Sequence, residues 1–163
     1  MKLQKISPFL WFNGVAEAAA QHYVSIFPDS RIDHIARAPS TVGESASELK
    51  PGAVMVVNYT LSGMGFVGLN GGPGYDFNQA VSFVVNCQDQ AEVDHYWDRL
   101  SDGGNKIQCG WLTDKFGLPW QIVPTMLFDY MQGSDREAAG RVFKAMLEME
   151  KLVIADLEKA ARG

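Results

Sequence analysis

The sequence is poor in the residues that most often carry chemistry. Its 163 residues include two cysteines, Cys87 and Cys109, and three histidines, His22, His34 and His95. The cysteines form no Cys-x-x-Cys pair and the histidines are scattered, so no zinc template is present. The start carries Lys2 and Lys5, but Pro8, Asn13 and Gly14 interrupt any apolar stretch of the kind a secretory signal needs. Two thiols in such a chain suit a reducing compartment, and a cytoplasmic location is expected. No apolar run approaches the ~20 residues of a membrane helix, so no membrane partner is expected. Positive charge is also short. The net charge is −5, which argues against nucleic acid as a partner.

What is present is an ordinary globular balance, 47% hydrophobic and 20% charged. That excludes a disordered or collagen-like chain. The length fits one domain, or two small modules sharing a core.

Residues 6–12 are apolar and aromatic and read as a strand, which Asn13-Gly14 breaks. Residues 16–27 are alanine-rich, with Ala16, Ala19, Ala20, Tyr23 and Phe27 at helical spacing. Pro28-Asp29-Ser30 stops that helix, and 31–38 reads as a second strand. The polar segment 40–51 reads as a loop. Residues 53–61 and 66–70 are strand-like, joined by a hairpin turn at Ser62-Gly63-Met64-Gly65. Gly71-Gly72-Pro73-Gly74 then opens a linker.

The pattern restarts after it. Residues 80–86 read as a strand. Asp89, with Glu92 three positions on, forms a capping box for a helix over 90–100. Strands over 106–112 and 118–123 flank a turn at 113–117, where Asp114 is a turn residue. Ser134 or Asp135 caps a C-terminal helix that runs to about Ala160.

Shifting the chain by 73 residues lays 7–27 over 80–100. Asn13 then meets Asn86, Ala18 meets Ala91, His22 meets His95 and Tyr23 meets Tyr96. The matched strand, turn and helix, each followed by hairpin strands, predict two βαβββ modules in an α+β fold. The expected single domain comprises a module over 6–70, a linker over 71–79, a module over 80–124 and a C-terminal helical extension over 125–163. A curved sheet with one helix on its back leaves its other face open, and pairing two such units closes a cavity.

Several stretches carry a family resemblance: Pro8-Phe9-Leu10-Trp11-Phe12-Asn13-Gly14, Phe27-Pro28-Asp29-Ser30, Leu69-Asn70-Gly71-Gly72-Pro73, Cys109-Gly110-Trp111-Leu112-Thr113-Asp114 and Phe116-Gly117-Leu118-Pro119-Trp120-Gln121. Through them the chain resembles the vicinal oxygen chelate superfamily of glyoxalase, bleomycin-resistance and extradiol-dioxygenase proteins. Within it the chain is similar to the PhnB-like branch, often labelled 3-demethylubiquinone methyltransferase-like. The resemblance implies a divalent metal held by His, Gln or Glu side chains on the first and last strand of each module.

The residues at those positions are poor donors. The first strands offer Ser7, Pro8 and Phe9, then Ala80, Val81 and Ser82; the last offer Gly68, Leu69 and Asn70, then Gln121. Gln121 matches the position where the resembled family usually has Glu. One neutral amide does not hold a catalytic metal, so no metal and no other cofactor is expected. The glycine-rich turn at 71–74 opens no helix, as a Rossmann-type donor site would require. Cys87 precedes a helix start, where a thiolate would be favoured, but it also suits a core.

The side chains expected to line a ligand cavity between the modules are Phe9, Trp11, Asn70, Gln108, Trp111 and Gln121. Aromatic faces with a few neutral polar groups suit a small apolar or aromatic molecule. The expected function is metal-free binding of such a molecule, with no catalytic residue assigned. The alternatives are a metal-dependent enzyme of the superfamily and a methyltransferase-like enzyme of quinone metabolism. A homodimer is expected, with modules paired within or across chains. Its argument is an apolar stripe at Val142, Met146, Met149 and Val153 on the C-terminal helix.

Overall fold

The computed structural model describes residues 4–39 and 50–163. Most of the expected loop over 40–51 therefore lies outside the described residues. The chain divides into two compact units, Met1–Asp76 and Phe77–Gly163, with the boundary inside the expected linker.

The first unit runs β1 (Phe9–Phe12), α1 (Ala16–Val24), β2 (Arg31–Arg37), β3 (Val54–Leu61) and β4 (Met64–Asn70), the expected βαβββ order. Its sheet is ordered β1-β4-β3-β2, with β1 parallel to β4 and the other pairs antiparallel. Leu10, Phe12, Val57, Tyr59 and Phe66 are buried, as are Ala16, Ala19, Ala20 and Tyr23 of α1. The small alanines let the helix lie close against the sheet. The β3–β4 turn is tighter than the sequence suggested. Ser62 and Gly63 both take positive φ, 44° and 83°, and Leu61 pairs directly with Met64. That is the twist a two-residue hairpin demands.

The second unit repeats this order: β5 (Phe83–Cys87), α2 (Gln90–Ser101), β6 (Asn105–Lys106), β7 (Trp111–Thr113) and β8 (Pro119–Pro124), in a sheet ordered β5-β8-β7-β6. The capping box forms: Asp89 accepts from the Glu92 N–H at 2.9 Å, and Glu92 from the Gln88 N–H at 2.7 Å. The expected single strand over 106–112 is instead a hairpin. Cys109 and Gly110 turn the chain with φ of 63° and 78°. A Cβ on Gly110 would come within 2.7 Å of the Ile122 carbonyl, so the close backbone approach there requires glycine.

Three helices follow: α3 (Met126–Gln132), α4 (Arg136–Leu147) and α5 (Ile154–Arg162). Asp135 caps α4 through the Ala138 N–H at 2.9 Å. The expected unbroken C-terminal helix is interrupted over 148–153. There the Met149 and Glu150 carbonyls accept from the N–H groups of Cys109 (2.7 Å) and Gly110 (2.8 Å). Gln90 clasps the same segment, donating to the Leu152 carbonyl (3.2 Å) and accepting from the Ile154 N–H (2.8 Å). Arg141 of α4 donates to the Ala160 and Ala161 carbonyls at the end of α5. Val142 is buried, and Met146 and Met149 pack against the cluster it shares with Leu127, Leu152 and Leu157. Three residues of the apolar stripe, Val142, Met146 and Met149, thus pack within their own unit.

Candidate functional site

In the second unit α2 covers one face of the sheet, burying Val85, Cys87, Leu112, Trp120 and Ile122. The other face carries Val84, Trp111, Gln121 and Val123, and these floor a cavity of about 290 Å³. Its roof is Leu127, Phe128, Tyr130 and Met131 of α3, then Ala139, Val142, Phe143 and Met146 of α4. Cys109 and Leu152 complete the wall, and the lining holds no Asp, Glu, Lys, Arg or His. The only amide in the lining is that of Gln121, whose Nε2 donates to Ser82 Oγ at 2.8 Å.

Of the six side chains singled out from the sequence, the structure brings Trp111 and Gln121 together in this cavity. Gln108 is exposed on the β6–β7 turn. The other three lie in the first unit. Phe9 projects from the sheet face opposite α1 and is 59% exposed. Trp11 shares that face but is committed to the linker. Its Nε1 donates to the Gly72 carbonyl at 2.9 Å, and Tyr75 meets its ring edge-on at 5.0 Å. A Cβ on Gly71 would fall 2.1 Å from the Trp11 ring, so this glycine makes room for an indole and not for a phosphate. Asn70 is turned toward α1 and buried. Its Oδ1 accepts from the Ala16 N–H at 2.9 Å and its Nδ2 donates to the Val54 carbonyl at 3.0 Å. The N-cap residue of α1, Val15, makes no side-chain bond, and Asn70 satisfies one of the orphan donors from a neighbouring strand.

The roof was missed in the sequence. Met126, Leu127, Tyr130 and Met131, spaced for one helix face just after Pro124, were the available signal. Trp120, next to Gln121 on β8, points to the opposite face and stays out of the cavity. It is buried beneath α2, and its Nε1 donates to Asp114 Oδ2 at 2.9 Å. Asp114 also accepts from the N–H groups of Phe116 (2.8 Å) and Leu118 (3.0 Å), which fixes the β7–β8 turn.

The two thiols differ. Burial, reinforced by Glu92 and Asp89, pushes the Cys87 thiol up to about 12, so a favoured thiolate at the start of α2 is not what the structure holds. Cys109 is half-buried and lines the cavity.

The donor set implied for a divalent metal is not met. Register aligns Gln121, paired with Val84, with Leu69, paired with Trp11. The first unit therefore supplies a hydrocarbon where the second supplies an amide. Asn70, one residue on, is spent on α1. No three His, Cys, Asp or Glu side chains gather among the described residues. Serine hydroxyls and one amide do not fit a divalent cation that prefers several charged oxygen or imidazole ligands.

The first unit carries a groove of another kind, about 470 Å³, on the face opposite α1. Ser7, Arg31, Asp33, Asn58 and Thr60 line it. Arg31 Nε pairs with Asp33 Oδ1 at 2.8 Å, and Thr60 Oγ1 donates to Asp33 Oδ2 at 2.6 Å.

Against known structures, the chain is similar to a PhnB protein from Bacillus cereus, at 31% identity and a TM-score of 0.66, over 74% of this chain and 99% of that one. A family model described as 3-demethylubiquinone-9 3-methyltransferase matches residues 4–123. The chain belongs to this PhnB-like family. It shares the fold of protein PA1353 from Pseudomonas aeruginosa, at 20% identity and a TM-score of 0.57, over 76% of this chain and 98% of that one. It also shares the fold of the fosfomycin resistance protein FosX from Mesorhizobium loti, at 14% identity and a TM-score of 0.51, over 86% of this chain and all of that one. These last two likenesses show a shared fold. A comparison with curated proteins finds no match. The family match ends at Val123, so the roof of the cavity lies outside the matched residues. Among the described residues, no helix is long and apolar enough to cross a membrane.

Proposed function

We propose that this PhnB-like protein binds a small, neutral, apolar molecule in the cavity between the second sheet and the C-terminal helices. The observation that carries the reading is the lining itself: mostly aromatic and aliphatic side chains, one pinned amide, and no acidic or basic side chain of Asp, Glu, Lys, Arg or His. An ion placed there would lose its hydration and meet no counter-charge. The same argument weighs against methyl transfer from S-adenosylmethionine in this cavity. That donor carries a sulfonium, an ammonium and a carboxylate, each of which needs a polar partner.

Trp111 reports on the site, since Trp11, Trp97 and Trp120 lie outside the lining. A screen of small apolar probes followed by tryptophan emission is expected to give saturable quenching that Trp111→Phe removes. Quenching that survives in that variant would misplace the site. Absence of saturable quenching by every probe would end the binding reading. Titration with S-adenosylmethionine is expected to leave the emission unchanged.

A further inference from the structure

The size, charge and polar geometry of the second-unit cavity together narrow its ligand to a chemical class. An engineered apolar cavity of about 150 Å³ holds a benzene ring. The present one, about 290 Å³, has roughly twice that room. Its walls suit rings more than flexible chains. Trp111, Phe128 and Phe143 offer aromatic faces and edges, and Met131 and Met146 offer sulfur that packs well against ring edges. Ionised ligands are disfavoured by the uncharged lining.

The remaining discriminator is Gln121. Its Nε2 is engaged by Ser82 Oγ at 2.8 Å, which fixes the amide and leaves Oε1 as an acceptor on an otherwise apolar floor. Val84 and Trp111 flank it on the neighbouring strands, so a molecule resting on those side chains is brought against the amide. We propose that the cavity takes a neutral two-ring aromatic molecule bearing one hydroxyl or N–H donor, read by Gln121 Oε1. This rests on the reading that the cavity is a binding site, and goes beyond it by naming what is bound.

The test is calorimetric titration of the full chain at pH 7 with naphthalene, 2-naphthol, 2-naphthoate and 1-octanol. Thiol labelling of Cys109 is followed in parallel. Cys87 is buried, so protection from labelling reports occupancy beside Cys109. 2-Naphthol is expected to bind roughly 2- to 10-fold more tightly than naphthalene, the range one net hydrogen bond gives. 2-Naphthoate is expected to bind at least about tenfold more weakly than 2-naphthol, because its charge is desolvated without a partner. Both neutral ring compounds should slow labelling of Cys109. Gln121→Leu should keep naphthalene binding and erase the preference for 2-naphthol. Gln121→Met serves the same purpose if the leucine variant does not fold.

Equal affinity for naphthalene and 2-naphthol, or a preference that survives both substitutions, overturns the role of Gln121. Binding of 2-naphthoate as tight as that of 2-naphthol overturns the neutral class. Binding of 1-octanol with no binding of either neutral ring compound overturns the ring class but leaves the apolar binding site standing. Failure of all four to bind or to protect Cys109 overturns both readings.

Discussion

The two sheets share a topology and differ in what their uncovered faces became. In each, the first strand lies parallel to the last and one helix covers the back. Beyond that they part. In the first unit β2 extends over seven residues and brings Arg31 and Asp33 to a polar groove. In the second, β6 is two residues long and the hairpin turns early at Cys109-Gly110. The N–H groups freed by that turn are taken by Met149 and Glu150, so the segment between α4 and α5 stands where more strand would have been. That attachment, with the Gln90 clasp, holds α4 over the sheet and makes an apolar cavity from an apolar face. A repeated fold therefore does not repeat a site. Backbone topology is duplicated, while the chemistry of the open face is decided by strand length and by what the rest of the chain lays over it.

The largest expected effect comes from breaking the attachment of the roof. Leu152 is fully buried, belongs to the C-terminal core cluster and would lie 3.1 Å from a Cβ at Gly110. Leu152→Ala is expected to destabilise the protein by about 2–5 kcal/mol, the range for a buried leucine. Denaturant unfolding measures it. A loss below about 1 kcal/mol would mean that the cluster collapses around the gap and that the roof does not depend on it.

Next come the two buried polar anchors, one per unit. Asp114→Ala strips three donors, including the buried Trp120 Nε1, of their acceptor. A loss of about 1.5–3 kcal/mol is expected, and indole emission should shift as Trp120 loses its partner. Asn70→Ala removes the acceptor that serves α1 in place of an N-cap side chain. Here about 1–2 kcal/mol is expected, as for loss of a cap. If the two variants had equal effects, the contrast between a carboxylate with three donors and an amide with one acceptor bond would carry no weight in stability.

These anchors show what was legible in the sequence. The repeat and the capping box at Asp89 and Glu92 follow from local pattern and are found in the structure. Gln121 and Trp111 share a face because strand alternation places them there. Asn70 misled because an amide at a strand end looks the same whether it faces a ligand or a helix terminus. Only its bond to Ala16, 54 residues away in sequence, decides. The break over 148–153 was invisible for a related reason. Leu147 to Val153 contains neither glycine nor proline and reads as helix. The chain leaves the helix because distant N–H groups at Cys109 and Gly110 compete for its carbonyls.

The smallest expected effect tests whether charge, as well as backbone hydrogen bonds, holds the second unit's roof segment in place. Lys151 Nζ lies 2.8 Å from Asp94 Oδ1 on α2, and both side chains are more than a third exposed or close to it. The Lys151 and Gln90 side chains, by hydrogen bonding, hold the Asp94 carboxyl below its ordinary range. The bond to Asp94 in turn raises the Lys151 ammonium. A depressed carboxyl stabilises the fold above its unfolded value and loses that contribution as pH falls through the folded one. A raised ammonium stabilises below its unfolded value and loses its contribution as pH rises through the folded one. Between these limits the pair contributes a constant amount. Solvent and salt screen an exposed pair, so Asp94→Asn is expected to cost about 0.5 kcal/mol or less at neutral pH. The difference from wild type should close as the solution is made strongly acidic, and should shrink in high salt. Thermal unfolding across pH for both proteins measures it. A difference that persists unchanged in acid would show that the effect of Asp94→Asn does not come from the carboxylate's charge, since asparagine can also accept the 3.1 Å Gln90 hydrogen bond, and would leave the clasp free of any charge contribution.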